Sequence, residues 1–114
     1  MVTDVRDAIL RADVDAVAAV LAQDVVWIGT QPGQLCRSRA QVLDLFHRAV
    51  ERGVSAKPEI VAELENMLVV DPHLDPPAEF NPELHQIYVL DEGAIVEMRD
   101  YPDRPSALEA VGLR

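Results

Sequence analysis

Cysteine is nearly absent: Cys36 stands alone in 114 residues. No disulfide can form within the chain, and a reducing compartment suits it. Long apolar runs are missing too, none approaching the roughly 18 residues that cross a bilayer. The opening Met1-Val2-Thr3-Asp4 has neither the basic start nor the apolar stretch of a secretion signal. These absences lead us to expect a cytoplasmic protein. Basic residues are scarce, ten against twenty acidic ones, for a formal charge of −10. Nucleic acid and anionic membranes, which are held through Lys and Arg, are therefore excluded as expected partners. Aromatic residues number five, so a pocket would have aliphatic walls with Trp27, Phe46 or Tyr88 as rare flat surfaces. The chain has no Gly-rich phosphate loop, no nucleophile elbow and no Cys-His dyad.

What is present is a hydrophobic fraction of 49%, enough for the core of one domain spanning residues 1–114. Thr3 can cap a first helix with Val5, Ala8, Ile9 and Ala12 on one face, and Asp13 a second with Val14, Val17, Ala18 and Leu21. Val25 to Thr30 reads as a strand. Gln31-Pro32-Gly33-Gln34 reads as a type II turn. Ser38-Arg39-Ala40-Gln41 has the form of a capping box opening a third helix, which Gly53 ends in a left-handed conformation. Strands are expected at Glu59–Leu64, Met67–Val70, Leu84–Leu90 and Ala94–Tyr101. Between them, Asp71–Glu83 carries Pro72, Pro76, Pro77 and Pro82 and reads as a stiff loop outside the sheet, placed to act as a lid. Helices first and antiparallel strands later is the α+β order: three N-terminal helices packed on a strongly curved antiparallel sheet.

The last hairpin can be registered by matching apolar residues across it. Setting Leu90 opposite Ile95 places Val89 opposite Val96, Ile87 opposite Met98 and His85 opposite Asp100. On this register Tyr88 falls on the outer face, as a dimer contact. His85 and Asp100 become cross-strand neighbours with Cβ atoms roughly 4.5 to 5.5 Å apart, at one end of an apolar face lined by Ile87, Val89, Val96 and Met98. A carboxylate and an imidazole so placed can take a proton from a carbon acid and stabilise the oxyanion that forms. They can equally satisfy each other as a structural pair.

The ordered segments resemble the SnoaL-like branch of the nuclear transport factor 2-like superfamily over nearly the whole chain. The resemblance rests on Ala12-Asp13-Val14-Asp15-Ala16 leading to Leu21, on Asp24-Val25-Val26-Trp27 and on Cys36-Arg37-Ser38-Arg39. It continues through Gly93 to Tyr101, Asp103-Arg104 and Ala107-Leu108. It implies a cone-shaped α+β barrel with an apolar cavity, commonly dimeric through the outer sheet face. Polyketide cyclases of this type use an acid/base aspartate on the last strand, where Asp100 falls. Ketosteroid isomerases carry an acidic oxyanion-hole residue at the position of His85. Their general-base aspartate maps to about Gly29, and their helix-one tyrosine has no counterpart near Arg6. Limonene-epoxide hydrolases need a convergent Asp-Arg-Asp set, whereas Arg99 and Asp100 point to alternate strand faces.

Three readings stay open. The first is cofactor-free acid/base chemistry (cyclase, isomerase or hydrolase type) on a small hydrophobic molecule, with Asp100 and His85 catalytic and Trp27 and Phe46 also lining the pocket. The second is a binding module with the same pocket, and the third a dimerisation domain. No cofactor or metal is expected: His73, Asp75, Glu79 and Glu83 in the proline-rich loop lack ligand spacing. Cys36 reads as a small buried residue, His47 as a half-exposed edge position, and Tyr101 as a ring at the pocket end.

Overall fold

Among the described residues, side-chain caps open the second, third and fourth helices. The computed structural model describes residues 2–113, with side chains from Asp4 onward. Helix α1 spans Val2–Leu10. Thr3 thus sits inside the first turn and does not precede it; its side chain lies outside the described residues. Asp13 caps α2 (Val14–Ala18) by accepting from the Asp15 amide at 3.0 Å. Ser38 caps α3 (Arg39–Glu51) by accepting from the Gln41 amide at 3.2 Å, while Gln41 Oε1 accepts from the Arg37 amide at 2.7 Å. Gly53, at φ +82°, follows α3 in the left-handed conformation. A fourth helix, α4 (Arg104–Ala110), is capped by Asp103 and was not among the expected elements.

The main sheet has six strands in the order β2-β1-β8-β7-β5-β4. These are β1 (Leu21–Ile28), β2 (Leu35–Cys36), β4 (Glu59–Glu63), β5 (Met67–Asp71), β7 (His85–Asp91) and β8 (Ala94–Tyr101). Leu21 belongs to β1, not to the second helix, because α2 is a short helix ending at Ala18. The sheet is mixed: β1 runs parallel to β8, and the other pairs are antiparallel. Within the proline-rich segment, Leu74–Asp75 (β6) pairs with Ser55–Ala56 (β3) in a separate two-stranded ribbon, so the segment stays out of the main sheet as its prolines require.

The β7–β8 hairpin turns through Glu92 and Gly93, both at positive φ, with Asp91 opposite Ala94 and Leu90 opposite Ile95 as expected. The ladder then shifts by one residue. Val89 faces Glu97, Tyr88 faces Met98, Ile87 faces Arg99, Gln86 faces Asp100 and His85 faces Tyr101. Val96 is the extra residue of a β-bulge. The uniform register expected from apolar matching is therefore corrected beyond Leu90, and with it the pairing of His85 with Asp100.

The bulge decides which side chains share a face. Tyr88, Leu90, Ile95 and Met98 join Val5, Ile9, Val25, Val42 and Leu68 in the core under α1 and α3. Ile87 and Val69 lie on the opposite face, packed with Ala107 of α4, with Val89, Tyr101, Leu108 and Val111 around them. The outer face, expected to be a dimer surface, is thus covered over β5, β7 and β8 by α4. Met98 is fully buried, so Met98→Ala should cost about 2–5 kcal/mol in urea denaturation. Val89→Ala, at a half-buried outer position, should cost less.

Candidate functional site

Past the bulge, β8 turns Asp100 toward the inner face, where β7 offers Gln86 and Tyr88 two residues apart. Gln86 faces Asp100 in the ladder, and its Nε2 donates to Asp100 Oδ1 at 2.9 Å. From the other side, on the parallel strand β1, Trp27 Nε1 donates to the same oxygen at 2.8 Å. Tyr88 Oη donates to Gln86 Oε1 at 2.7 Å. The carboxylate can only accept, so the Gln86 NH2 faces it and the amide oxygen accepts from the phenol. Both donors thus fall on Oδ1, and Oδ2 accepts no hydrogen bond among the described residues.

Burial pushes the Asp100 carboxyl above its ordinary range, and the Gln86 and Trp27 donors recover only part of the shift. Burial, with the Asp100 charge added, raises the Tyr88 phenol and the Cys36 thiol. Tyr88 therefore stays a neutral donor. Cys36 stays a thiol, with no activating cation, and serves as a small wall residue rather than a nucleophile.

Two cavities meet at Trp27. A mouth of about 560 Å³ is lined by Gly29, Leu35, Cys36, Leu45 and Asp100 together with Trp27. On the other side of the indole lies a more apolar cavity of about 440 Å³, walled by α1, α2 and α3 residues such as Ile9, Val17 and Phe46, with Gln86 and Tyr88 as polar points. Trp27 and Phe46 stack tilted, with ring centroids 5.5 Å apart. Pro72, Leu74 and Leu84 at the roots of the proline-rich segment also line this cavity. Gly29 is held close to Gln34 by a 2.7 Å backbone hydrogen bond. A Cβ at Gly29 would collide with the Gln34 side chain, so no acidic side chain fits there without rearrangement.

Of the residues expected at the site, Asp100, Trp27 and Phe46 come together and Met98 lies in the core on the same face. Ile87 and Val89 are on the other face. Val96 is the bulged residue. His85 is buried on the outer side: its Nδ1 lies 2.8 Å from the Glu83 carbonyl and its Nε2 accepts from Arg104 Nε at 3.3 Å. Tyr88, expected outside, is inside and 7% exposed. Gln86 was missed because β7 is apolar on both faces. Ile95 and Met98, three residues apart in β8, lie in one core cluster, a spacing that the bulge accounts for. Gln86→Leu should raise the Asp100 pKa further, read from carboxyl carbon shifts in NMR titration. Tyr88→Phe, which leaves a buried amide oxygen unpaired, should cost about 1–3 kcal/mol of stability.

The profile of the SnoaL-like domain family matches residues 2–98. Among solved structures, the chain is similar to a polyketide cyclase-like protein from Sinorhizobium meliloti, at 18% identity and a TM-score of 0.64, over 88% of this chain and 92% of that one. It is similar to an M. tuberculosis LEH-like epoxide hydrolase, at 20% identity and a TM-score of 0.61, over 88% of this chain and 74% of that one. A protein of ketosteroid isomerase-like fold from Catenulispora acidiphila, in complex with trimethylamine, aligns at 15% identity with a TM-score of 0.59, over 99% of this chain and 92% of that one. At these identities the likeness is one of fold. No curated protein matches the sequence.

Proposed function

The chain belongs to the SnoaL-like domain family, and from that premise we propose that it performs cofactor-free acid/base chemistry on a small hydrophobic molecule, with Asp100 as the proton-transfer group. The observation that carries this reading is the asymmetry of one carboxylate. Oδ1 is held by Trp27 and Gln86, while Oδ2 is left for a ligand at the junction of two largely apolar cavities. A carboxylate in apolar surroundings with a raised pKa is a stronger base than one in water, and its protonated form persists to higher pH as an acid. Trp27 and Gln86 hold the carboxylate plane, and Tyr88 acts through Gln86 as a positioning residue. His85, directed to the other face, is not part of this chemistry.

The named relatives include polyketide cyclase-like and epoxide hydrolase-like proteins, and both chemistries move protons at a small organic substrate. A ligand of that class would sit in the mouth with its reacting atom near Oδ2 and its apolar body toward Trp27, Leu35 and Leu45.

5-Nitrobenzisoxazole tests this directly, because a base that removes its ring C–H proton breaks the N–O bond and releases a coloured phenolate. The wild type should exceed free acetate, with a rate that rises as pH climbs through the raised Asp100 pKa. Asp100→Asn keeps an oxygen for Trp27 and Gln86 and should lose about 10²–10⁴-fold of that rate. An undiminished rate in the variant would remove Asp100 from the chemistry.

Stability gives an independent check. An acid whose pKa is raised on folding contributes stability that is fully present below its unfolded value and is lost as pH rises through its folded value. Asp100→Asn removes the buried charge, so its Tm should equal or exceed that of the wild type at neutral pH. The gap should close in acid, where the wild-type carboxyl is protonated in both states. The apolar cavity also suits binding without turnover; that reading predicts a ligand that raises Tm equally in both proteins and is recovered unchanged.

A further inference from the structure

On the outer side of the sheet, away from Asp100, Glu59 and Asp71 face each other directly across the β4–β5 ladder. Like charges in that position repel unless a cation lies between them. His73 turns back over the pair. Its backbone, at φ +45°, lets its amide donate to Asp71 Oδ1 at 3.0 Å. Its Nε2 then stands 3.0 Å from Glu59 Oε1 and 3.4 Å from Asp71 Oδ2.

Arg104 supplies positive charge now, with Nη2 at 3.3 Å from Glu59 Oε1 and 3.5 Å from Asp71 Oδ2. Its side chain is 43% exposed and can swing away. His85, 6% exposed, lies beside the same carboxylate. The Glu83 carbonyl at 2.8 Å can only accept, so Nδ1 carries a proton. In the neutral ring Nε2 then presents a lone pair, 3.3 Å from Asp71 Oδ2. The Arg104 guanidinium, which donates to both Nε2 and Asp71 Oδ2, is the cation now beside them. With Arg104 Nε donating to Nε2 at 3.3 Å, the ring is held between a backbone carbonyl and the guanidinium. A cavity of about 310 Å³, lined by Asp71, His73 and His85, opens beside them.

We propose that Glu59, Asp71 and His73 form a binding site for one divalent transition-metal ion, Zn²⁺ foremost, which replaces the Arg104 guanidinium between the two carboxylates. The three ligand atoms already lie within 4.8 Å of one another. Metal–ligand bonds of about 2.0–2.1 Å give a tetrahedral edge of roughly 3.3 Å, close to the contacts His73 makes with both carboxylates. Two carboxylates and a neutral imidazole balance a divalent charge, and the nitrogen donor favours Zn²⁺, Co²⁺ or Ni²⁺ over Ca²⁺. The site shares no residue with the Asp100 chemistry and stands or falls separately from it.

The test is titration of the full chain, first stripped with EDTA, with Zn²⁺ by calorimetry and with Co²⁺ by visible absorption. The expected result is one ion per chain, with affinity weakened by about tenfold or more in His73→Ala and in Asp71→Asn. Affinity should be unchanged in His47→Gln, a surface control on α3. Arg104→Gln, which removes the competing cation, should bind Zn²⁺ more tightly. Thermal transitions in EDTA establish that each variant is folded, and His73→Ala, at an exposed loop position, serves if Asp71→Asn is not. Absence of saturable binding, or binding undiminished in folded His73→Ala, overturns the site. An Arg104→Gln affinity no tighter than wild type overturns the competition.

Discussion

One residue too many in β8 governs this molecule. With Val96 bulged out, the strand keeps Ile95 and Met98 on the same buried face and carries Asp100 inward and Tyr101 outward. Without the bulge, Glu97 would stand opposite Tyr88 and Arg99 opposite Gln86 on the inner face, and Asp100 would turn outward opposite His85. The same shift leaves His85 opposite Tyr101, on the face that α4 covers. The carboxylate among apolar walls inside follows from that single insertion, whereas the charged cluster outside rests on the β4–β5 register.

The inner end is a balance between desolvation and hydrogen bonding. A carboxylate with two donors on one oxygen is stabilised as the anion, yet burial outweighs them and the pKa rises. The outcome depends on Gln86 presenting nitrogen and not oxygen, an orientation the acceptor-only carboxylate demands and the Tyr88 hydroxyl completes by donating to the amide oxygen. A chain of three side chains, each satisfied by the next, keeps a polar group within an apolar core without an unpaired buried donor. Trp27 closes the arrangement from the parallel strand, so the sheet's one parallel pairing has a direct part in holding the carboxylate.

The outer end shows different physics. Two carboxylates set opposite each other by strand register are compensated by His73 and by Arg104 at the start of α4. The C-terminal helix is thereby held at its first residue by charge and along its length by Ala107 and Leu108 against Val69 and Ile87. Loop and helix contribute to one cluster although about 30 residues of chain separate them, a distance over which sequence spacing carries no signal.

Local rules made much of the fold legible. Ser38 and Asp13 announced their helices because a cap is a contact between residues two or three apart. The limits of β8 and the turn at Glu92-Gly93 followed from alternation and from the need for positive φ. The flat walls Trp27 and Phe46 were visible because aromatic residues are few in this chain, and Asp100 because the resemblance puts an acid/base aspartate on the last strand. What matching could not reveal was the bulge. Strand β7 is apolar on both faces, so Ile87 and Val89 satisfied one register as well as Tyr88 and Leu90 satisfied the other. The sequence alone therefore determined the first three helices, the long strands, their order and the family scaffold, each set by contacts short in sequence or by a pattern spread over the chain. Only the tertiary structure decided that Gln86 and not His85 meets Asp100, because that choice depends on which face the helices cover, a property no single strand contains.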